Sequence, residues 1–474
     1  MTTAPDPYRS NAPQPPPGCP AHAGGAQAEG ARIYGPEADS DRQGLYERLR
    51  AEHGPVAPVL MQGDVPAWLV LGHRENLDVM RTPSRFTCDS RTWNRQLSAD
   101  SPLLPLTAWQ PLLAFADGKE HARLRLAVTD SLERFNRQSL RRYVTRYANR
   151  LVDQFAAHGR ADLVEEFAER LPMMVLTNHF GMSEEYGPKL VEAVRDMTRG
   201  SATAVSSNRF VVETMSDLVA RKRERPGSDF TSWLIGHESN LTDDEVREHL
   251  RLTLVAGYEP TVNLIANTLR MVLTDARFRG SLSGGQMTLP DALDQVLWDH
   301  PPISLLPTRW AIGDTDLGGR TIRAGDMLLL CLEAGNVDPA IRPDLSASMH
   351  GNRSHLAFSA GPHGCPGQDI GRAIADTGVE TLLNRLIDLR LAVAEDEVRV
   401  TSAWISERLE ALPVQFTPIR PTVTATPPPP AVMPGPMPEQ TAAPAAEPAA
   451  PQPPSGRWGT ARRSRRDRAA TRRD

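Results

Sequence analysis

The residues richest in chemistry lie in 355–372, HLAFSAGPHGCPGQDIGR. There Phe358, Gly361, His363, Cys365 and Gly367 fall in the spacing F-x-x-G-x-H-x-C-x-G. A free thiol titrates at about 8.5, and the thiolate, not the thiol, ligates metals. Cys365 directly precedes a helical pattern of Ile370, Ile374, Leu382, Leu383 and Leu386, and a helix N-terminus favours negative charge. Gly361 and Gly367 allow a tight loop whose backbone N–H groups turn toward the sulfur. An apolar Phe358 in the same loop would keep water off the sulfur. Read alone, the same cysteine suits a buried structural thiol in a glycine-rich turn. A third reading makes His355, His363 and Cys365 the ligands of a metallohydrolase, although their spacing is not a usual zinc pattern.

Three other groups carry charge, and taken singly the basic ones among them more often belong to the surface. His121 and Arg125 are four residues apart in E-H-A-R-L-R, so they share one helix face. Arg309 sits in PTRWA, and Glu259 lies inside an otherwise apolar stretch, AGYEPT.

The cysteine loop resembles the haem-ligand loop of the cytochromes P450. The likeness to bacterial members continues upstream through His355-Leu356-Ala357-Phe358 and covers about residues 31–420. The resemblance implies haem b (iron protoporphyrin IX) as cofactor and Cys365 as its axial ligand. A thiolate in that place pushes electron density to the iron and favours O–O cleavage. The resemblance also makes His121 and Arg125 the H-x-x-x-R of the helix that meets the haem propionates. Arg309 becomes the propionate-binding arginine, with His355 and His363 as further candidates, because buried propionates need cationic or N–H partners. Gly319, Ile322, Gly325 and Asp326 match the family's sheet segment, and Asn336, Asp338 and Pro339 its following turn.

Two signatures depart from the family. Its Glu-x-x-Arg aligns with Asp294-Gln295-Val296-Leu297-Trp298, so Gln295 replaces the glutamate and Trp298 the arginine. The usual third partner, an arginine, aligns with His350, so the three charges are absent as a set. Removing one member of a buried ion cluster costs about 3–5 kcal/mol, whereas replacing the set can be neutral. The pattern therefore predicts an alternative packing with Trp298 in the core, and it resembles a small actinobacterial subgroup with the same replacement. The second departure is in the oxygen-binding stretch, where A-G-x-E-T-T becomes Ala256-Gly257-Tyr258-Glu259-Pro260-Thr261. Pro260 replaces the threonine whose hydroxyl the family uses in proton delivery. Proline has no N–H, so the Ala256 carbonyl loses its helical partner and a kink is expected. Thr261 is rotated by about 100° and is a poor substitute. Glu259 remains as the acid.

The elements that must position these residues are mostly helical. Strands are expected at 67–72 with a partner near 56–61, long amphipathic helices at 120–157, 162–180, 209–224 and 242–275, and short strands again at 319–332 and 391–419. Thr242 and Glu245 form a T-x-x-E capping box that starts the last of these helices. The fold class is thus mostly α with small β-sheets (α+β), and the resemblance makes it the cytochrome P450 fold.

Composition bounds the rest. Of 42 prolines, twenty lie in residues 1–20 and 421–456. Residues 1–30 read as a disordered proline-rich tail, 31–420 as the haem-thiolate domain, and 421–474 as a Pro/Ala-rich linker with an arginine-rich tail. Residues 457–474 carry eight arginines and two aspartates against a net charge of −5 for the whole chain. The mildly acidic body argues against wholesale nucleic-acid binding, and the tail suits an acidic or anionic partner. No apolar run reaches the ~18 residues of a membrane span. Cys19, Cys88, Cys331 and Cys365 are scattered without a CxxC pair, which suits a cytoplasmic protein. The expected activity is a monooxygenase acting on a small-molecule apolar substrate, fed by ferredoxin and ferredoxin reductase, since no flavin domain is present. The rival reading keeps the haem in a sensor or interaction protein.

Overall fold

The computed structural model describes residues 30–99, 101–199, 201–275, 288–349, 351–402 and 405–421. The expected tails thus lie outside the described residues, apart from Gly30 and Pro421, and so does His350. Ten helices of nine residues or more build the described part: α1 Arg42–His53, α2 His73–Arg81, α3 Gly118–Glu133, α4 Arg137–Phe155, α5 Arg170–Phe180, α6 Gly187–Arg199, α7 Ala204–Glu224, α8 Asp243–Thr274, α9 Leu289–Asp299 and α10 Gln368–Arg385.

Helix α8 is the axis of the fold. The capping box expected from Thr242 and Glu245 is complete in both directions. Its 32 residues span about 48 Å at 1.5 Å per residue. Leu254, Val262, Ile265 and Leu269 are fully buried along it, and α5, α7, α9 and α10 pack around it. A helix enclosed on so many sides shows a weak polar–apolar contrast in sequence, because most of its faces are apolar.

The stretch expected as one helix over 120–157 is two helices. Asn136 ends the run by accepting from the backbone N–H groups of Gln138 and Ser139, a cap that starts α4. The stretch at 162–180 opens with a short strand, Arg160–Asp162, and a π-helical turn, Val164–Ala168, before α5.

The strand expected at 67–72 and its partner near 56–61 do pair, within a larger sheet. A six-stranded sheet holds β1 Ala31–Arg32, β2 Val56–Met61, β3 Val65–Val70, β4 Phe86–Thr87, β5 Leu305–Ala311 and β6 Met327–Cys331, in the order β1-β2-β3-β6-β5-β4. Strands β2 and β3 pair antiparallel, Val56 opposite Val70, and β3 runs parallel to β6. The register of β5 on β6 shifts between Leu306 and Arg309. Pro307 lies in that gap, where a ladder N–H is not required. A hairpin of β7 Val400–Ser402 and β8 Glu407–Leu409 packs near the C-terminus on α8.

The junction after α9 shows how the missing charge set is replaced. Trp298 is buried at 1% exposure. Its Nε1 donates to the Asn352 carbonyl at 2.7 Å. Gln295 Oε1 accepts from the Met349 N–H at 2.9 Å, and its amide donates to Asp299 at 2.7 Å. Asp299 in turn pairs with Arg342 at 2.7 Å. An acid–arginine pair therefore does join α9 to the chain that follows β6, one turn beyond the place the family pattern points to. The sequence reading, which took the charges as absent together, did not anticipate it. Asp294 is also engaged, with Arg372 of α10.

Candidate active site

Cys365 is held by the loop in front of α10. Its N–H donates to the Phe358 carbonyl at 2.9 Å, which folds the loop back on itself. Gly361 has φ +67, and a Cβ there would stand 2.5 Å from the Met80 carbonyl oxygen of α2, so glycine is required twice over. Gly367 caps α10, and a Cβ on it would lie 4.0 Å from the Cys365 sulfur. Ser359 adopts φ +58 with ψ −170, a region relaxed only for glycine. The Cys365 side chain is open, yet it is closely surrounded by protein. That surrounding raises its pKa, while backbone N–H groups of Gly367 and Gln368 and the Arg125 charge pull it down. The helix-start environment expected from sequence is therefore present at the sulfur.

Beside this loop the chain gathers basic side chains. His121 and Arg125 project from α3, Arg309 from β5 and His363 from the cysteine loop. The His121 and His363 rings lie 4.0 Å apart. Arg125 Nη1 donates to the Pro362 carbonyl at 3.3 Å. Burial lowers the His121 pKa to about 4, and the neighbouring His363, Arg125 and Arg309 charges add to the shift. His363 is lowered chiefly by burial too. Asp117 is the acid among them. It accepts from the Cys88 N–H at 2.8 Å and from Thr87, and its Oδ1 lies 3.4 Å from His363 Nε2. Burial alone would raise Asp117, but these hydrogen bonds hold it at about 2. Sequence reasoning passed over Asp117. Its position directly before α3, as N-cap, was the available signal.

The cluster can be tested for its fit to a haem. His121 Nε2 and Arg309 Nη2 are buried without a partner, whereas the other terminal nitrogen of Arg309 is used locally by Thr308. Orphaned buried donors are costly unless something accepts from them. Two carboxylates would satisfy these donors and offset the Arg125 and Arg309 charges. The residues therefore fit an anionic macrocycle whose metal Cys365 would ligate. Both ring nitrogens of His355 are likewise buried without a partner. Its buried ring lies edge-on to Trp298 at 6.0 Å and near Phe358 at 5.8 Å, so it braces the junction of α9 with the loop. Nor do His355, His363 and Cys365 form a metal-ligating trio. The group of ligating side chains found among the described residues joins His363 to Cys88 and Asp117.

On the other side of the site, α8 continues through Pro260 without ending. Ala256 and Pro260, one turn apart, lie on its more open face, while Tyr258, Glu259 and Thr261 are buried. Gly257 packs tightly: a Cβ would come within 3.2 Å of Leu176 of α5. Thr261 Oγ1 donates to the Gly257 carbonyl at 2.8 Å, so its hydroxyl is spent within the helix. Glu259 is not a free acid. Arg408 of β8 donates to it at 3.0 Å, a partner the sequence reading did not identify.

No family model matches the chain. It is 31% identical over 393 residues to a 2-hydroxy-5-methyl-1-naphthoate 7-hydroxylase of Streptomyces carzinostaticus, covering 80% of this chain and 95% of that one. It is 31% identical to cytochrome P450-SU2 of Streptomyces griseolus, covering 78% and 93%. Among solved structures, a ligand-bound CYP154C4 from Streptomyces sp. ATCC 11861 matches with a TM-score of 0.75 at 28% identity, over 82% and 98% of the two chains. With these likenesses spanning nearly the whole length of each relative, the chain belongs to the bacterial cytochromes P450, the haem-thiolate monooxygenases.

Proposed function

We propose that the protein inserts one oxygen atom into a small apolar molecule, using electrons passed from NAD(P)H through a ferredoxin reductase and a ferredoxin in the cytoplasm. When bound, the haem supplies the reductive activation of dioxygen. The observation that carries the reading is the open Cys365 sulfur beside buried His121 Nε2 and Arg309 Nη2, neither of which has a protein partner. In this reading Cys365 ligates the iron and Phe358 shields the sulfur. His121, Arg125, Arg309 and His363 hold the propionates, and Asp117 orients His363. Gly361 and Gly367 give the loop its shape. Similarity to a naphthoate hydroxylase supports an apolar substrate.

Proton delivery falls to Glu259, with water held near the Ala256 carbonyl that Pro260 leaves without a helical partner. The folded body is assigned to residues 31–420, with the arginine-rich end as an appendage for an acidic partner. A reduced carbon monoxide difference spectrum tests the haem-thiolate assignment, and oxygen consumption coupled to product tests the oxygenase. A thiolate-type spectrum with no product from any apolar candidate would turn the reading toward a sensor, for which no observation speaks at present.

A further inference from the structure

Three side chains from distant segments meet at the edge of the cysteine loop. Cys88 follows β4, Asp117 stands directly before α3, and His363 belongs to the loop itself. His363 Nε2 lies 3.2 Å from Cys88 Sγ and 3.4 Å from Asp117 Oδ1. One ligating atom from each of the three falls within 4.8 Å of the other two. Ligands bonded at ~2.0–2.3 Å in a tetrahedron stand ~3.3–3.8 Å apart. Small adjustments would therefore let the three atoms surround one cation.

The donor set selects that cation. Thiolate, imidazole and carboxylate together suit zinc, whereas calcium and magnesium take oxygen ligands. A thiolate and a carboxylate cancel the two charges of the ion, so these groups bury no net charge with it. Cys88 is 1% exposed. The His363 and Asp117 side chains keep 10% and 24% exposure, which leaves a way in from solvent. Asp117 is already held in place, since it also accepts from the Cys88 N–H and from Thr87. Two other charges face Cys88: Asp89 favours a cation there and Arg309 opposes one. A haem propionate on Arg309 would offset that opposition.

Hydrogen bonding alone serves the trio poorly. A neutral imidazole carries one proton. If Nε2 holds it for Asp117, Nδ1 has none to give a propionate. A cation on Nε2 reverses this, because the proton then sits on Nδ1.

We propose that Cys88, Asp117 and His363 bind one thiophilic divalent cation of the zinc class, with water in the fourth position, and that the bound cation makes His363 Nδ1 a hydrogen-bond donor to a haem propionate. The site stands on the three side chains; only its effect on Nδ1 rests on the reading of His363 as a propionate partner. Binding breaks the Cys88 S–H bond, forms a sulfur–metal bond and releases one proton to water, with no change of oxidation state. Burial pushes the Cys88 thiol up to about 12, so the proton leaves as the cation arrives.

Zinc itself is the probe. The full-length ferric holoenzyme, with Cys365 committed to haem iron, is stripped with a chelator, given one equivalent of zinc and measured by X-ray absorption at the zinc edge. Wild type should show one sulfur at about 2.3 Å, with nitrogen and oxygen at about 2.0–2.2 Å. Cys88→Ser should lose the sulfur and weaken zinc binding at least ~10-fold, and Asp117→Asn should weaken it similarly while keeping the sulfur. No sulfur in wild type, or a sulfur that persists in Cys88→Ser, overturns the site. Unchanged affinity in Asp117→Asn does the same, and serves if Cys88→Ser does not fold. The propionate bending band in the resonance Raman spectrum should shift when zinc is removed from wild type, and should ignore zinc in Cys88→Ser. Zinc bound through Cys88 with that band unmoved leaves the site standing and overturns the link from His363 to the propionate.

Discussion

The cysteine loop and the junction after α9 are both places where a helix meets irregular chain, and they follow opposite rules. At the loop, particular residue types are required. A haem-ligand role for Cys365 would need a thiolate, only glycine at position 361 fits against the Met80 carbonyl, and the buried donors beside the loop, His121 Nε2 and Arg309 Nη2, need acceptors. At the α9 junction the family's charges are gone, and a glutamine, an indole and a displaced Asp299–Arg342 pair make the connections instead. The difference teaches that a site doing chemistry is bound to its atoms. A joint only has to leave no buried group unpaired, and many sets of atoms can do that.

The comparison can be broken most directly at the sulfur. Cys365→Ser should abolish the thiolate-type Soret shift of the reduced carbon monoxide complex, with the fold retained by circular dichroism. An unchanged spectrum would remove the loop from the chemistry.

At the junction the effect should be on stability. Trp298→Ala should cost about 3–5 kcal/mol in chemical denaturation. Trp298→Arg, which restores the family's residue type, should also destabilise, because its usual partners are no longer there. If Trp298→Arg were as stable as wild type, the junction would have kept a charge-based arrangement after all.

Pro260 lies between the two cases, since it stands where the family resemblance puts a threonine and α8 continues through it. Pro260→Thr should couple NADPH use to product several-fold better than Pro260→Ala. Both variants restore the backbone N–H, but only the first adds a hydroxyl. Wild-type coupling equal to that of Pro260→Thr would make the missing hydroxyl unimportant.

Asp117 sharpens the loop side through pH. Its pKa is held at about 2, below the ordinary 3.8. Its contribution to stability is therefore full above that ordinary value and is lost as pH falls toward 2. Asp117→Asn should flatten this acid limb in thermal melts between those values, and an unaltered limb would show that His363 is held by other means.

The smallest effect is expected at Ser359. Ser359→Gly should raise stability by about 1 kcal/mol by relieving a backbone region that suits glycine. No gain in melting temperature would mean that the loop tolerates serine through contacts of its hydroxyl.

Sequence alone determined the local features of this protein. The ligand loop, the capping box of α8, the β2–β3 pair and the helix face shared by His121 and Arg125 are all set by residues a few positions apart. Short spacings of that kind fix geometry through backbone preferences and side-chain reach. It also predicted that Trp298 would be buried, because a lone arginine there would lack its partners. Tertiary structure decided what depends on distant segments. The Asn136 break between α3 and α4, the pairing of Asp299 with Arg342, the contact of His355 with Trp298, and the grip of Arg408 on Glu259 each turn on how elements pack. Arg408 lies 149 residues from Glu259, and no local pattern joins two charges across such a span. Only the docking of the β7–β8 hairpin on α8 excludes water from between them and turns two ordinary residues into one buried pair.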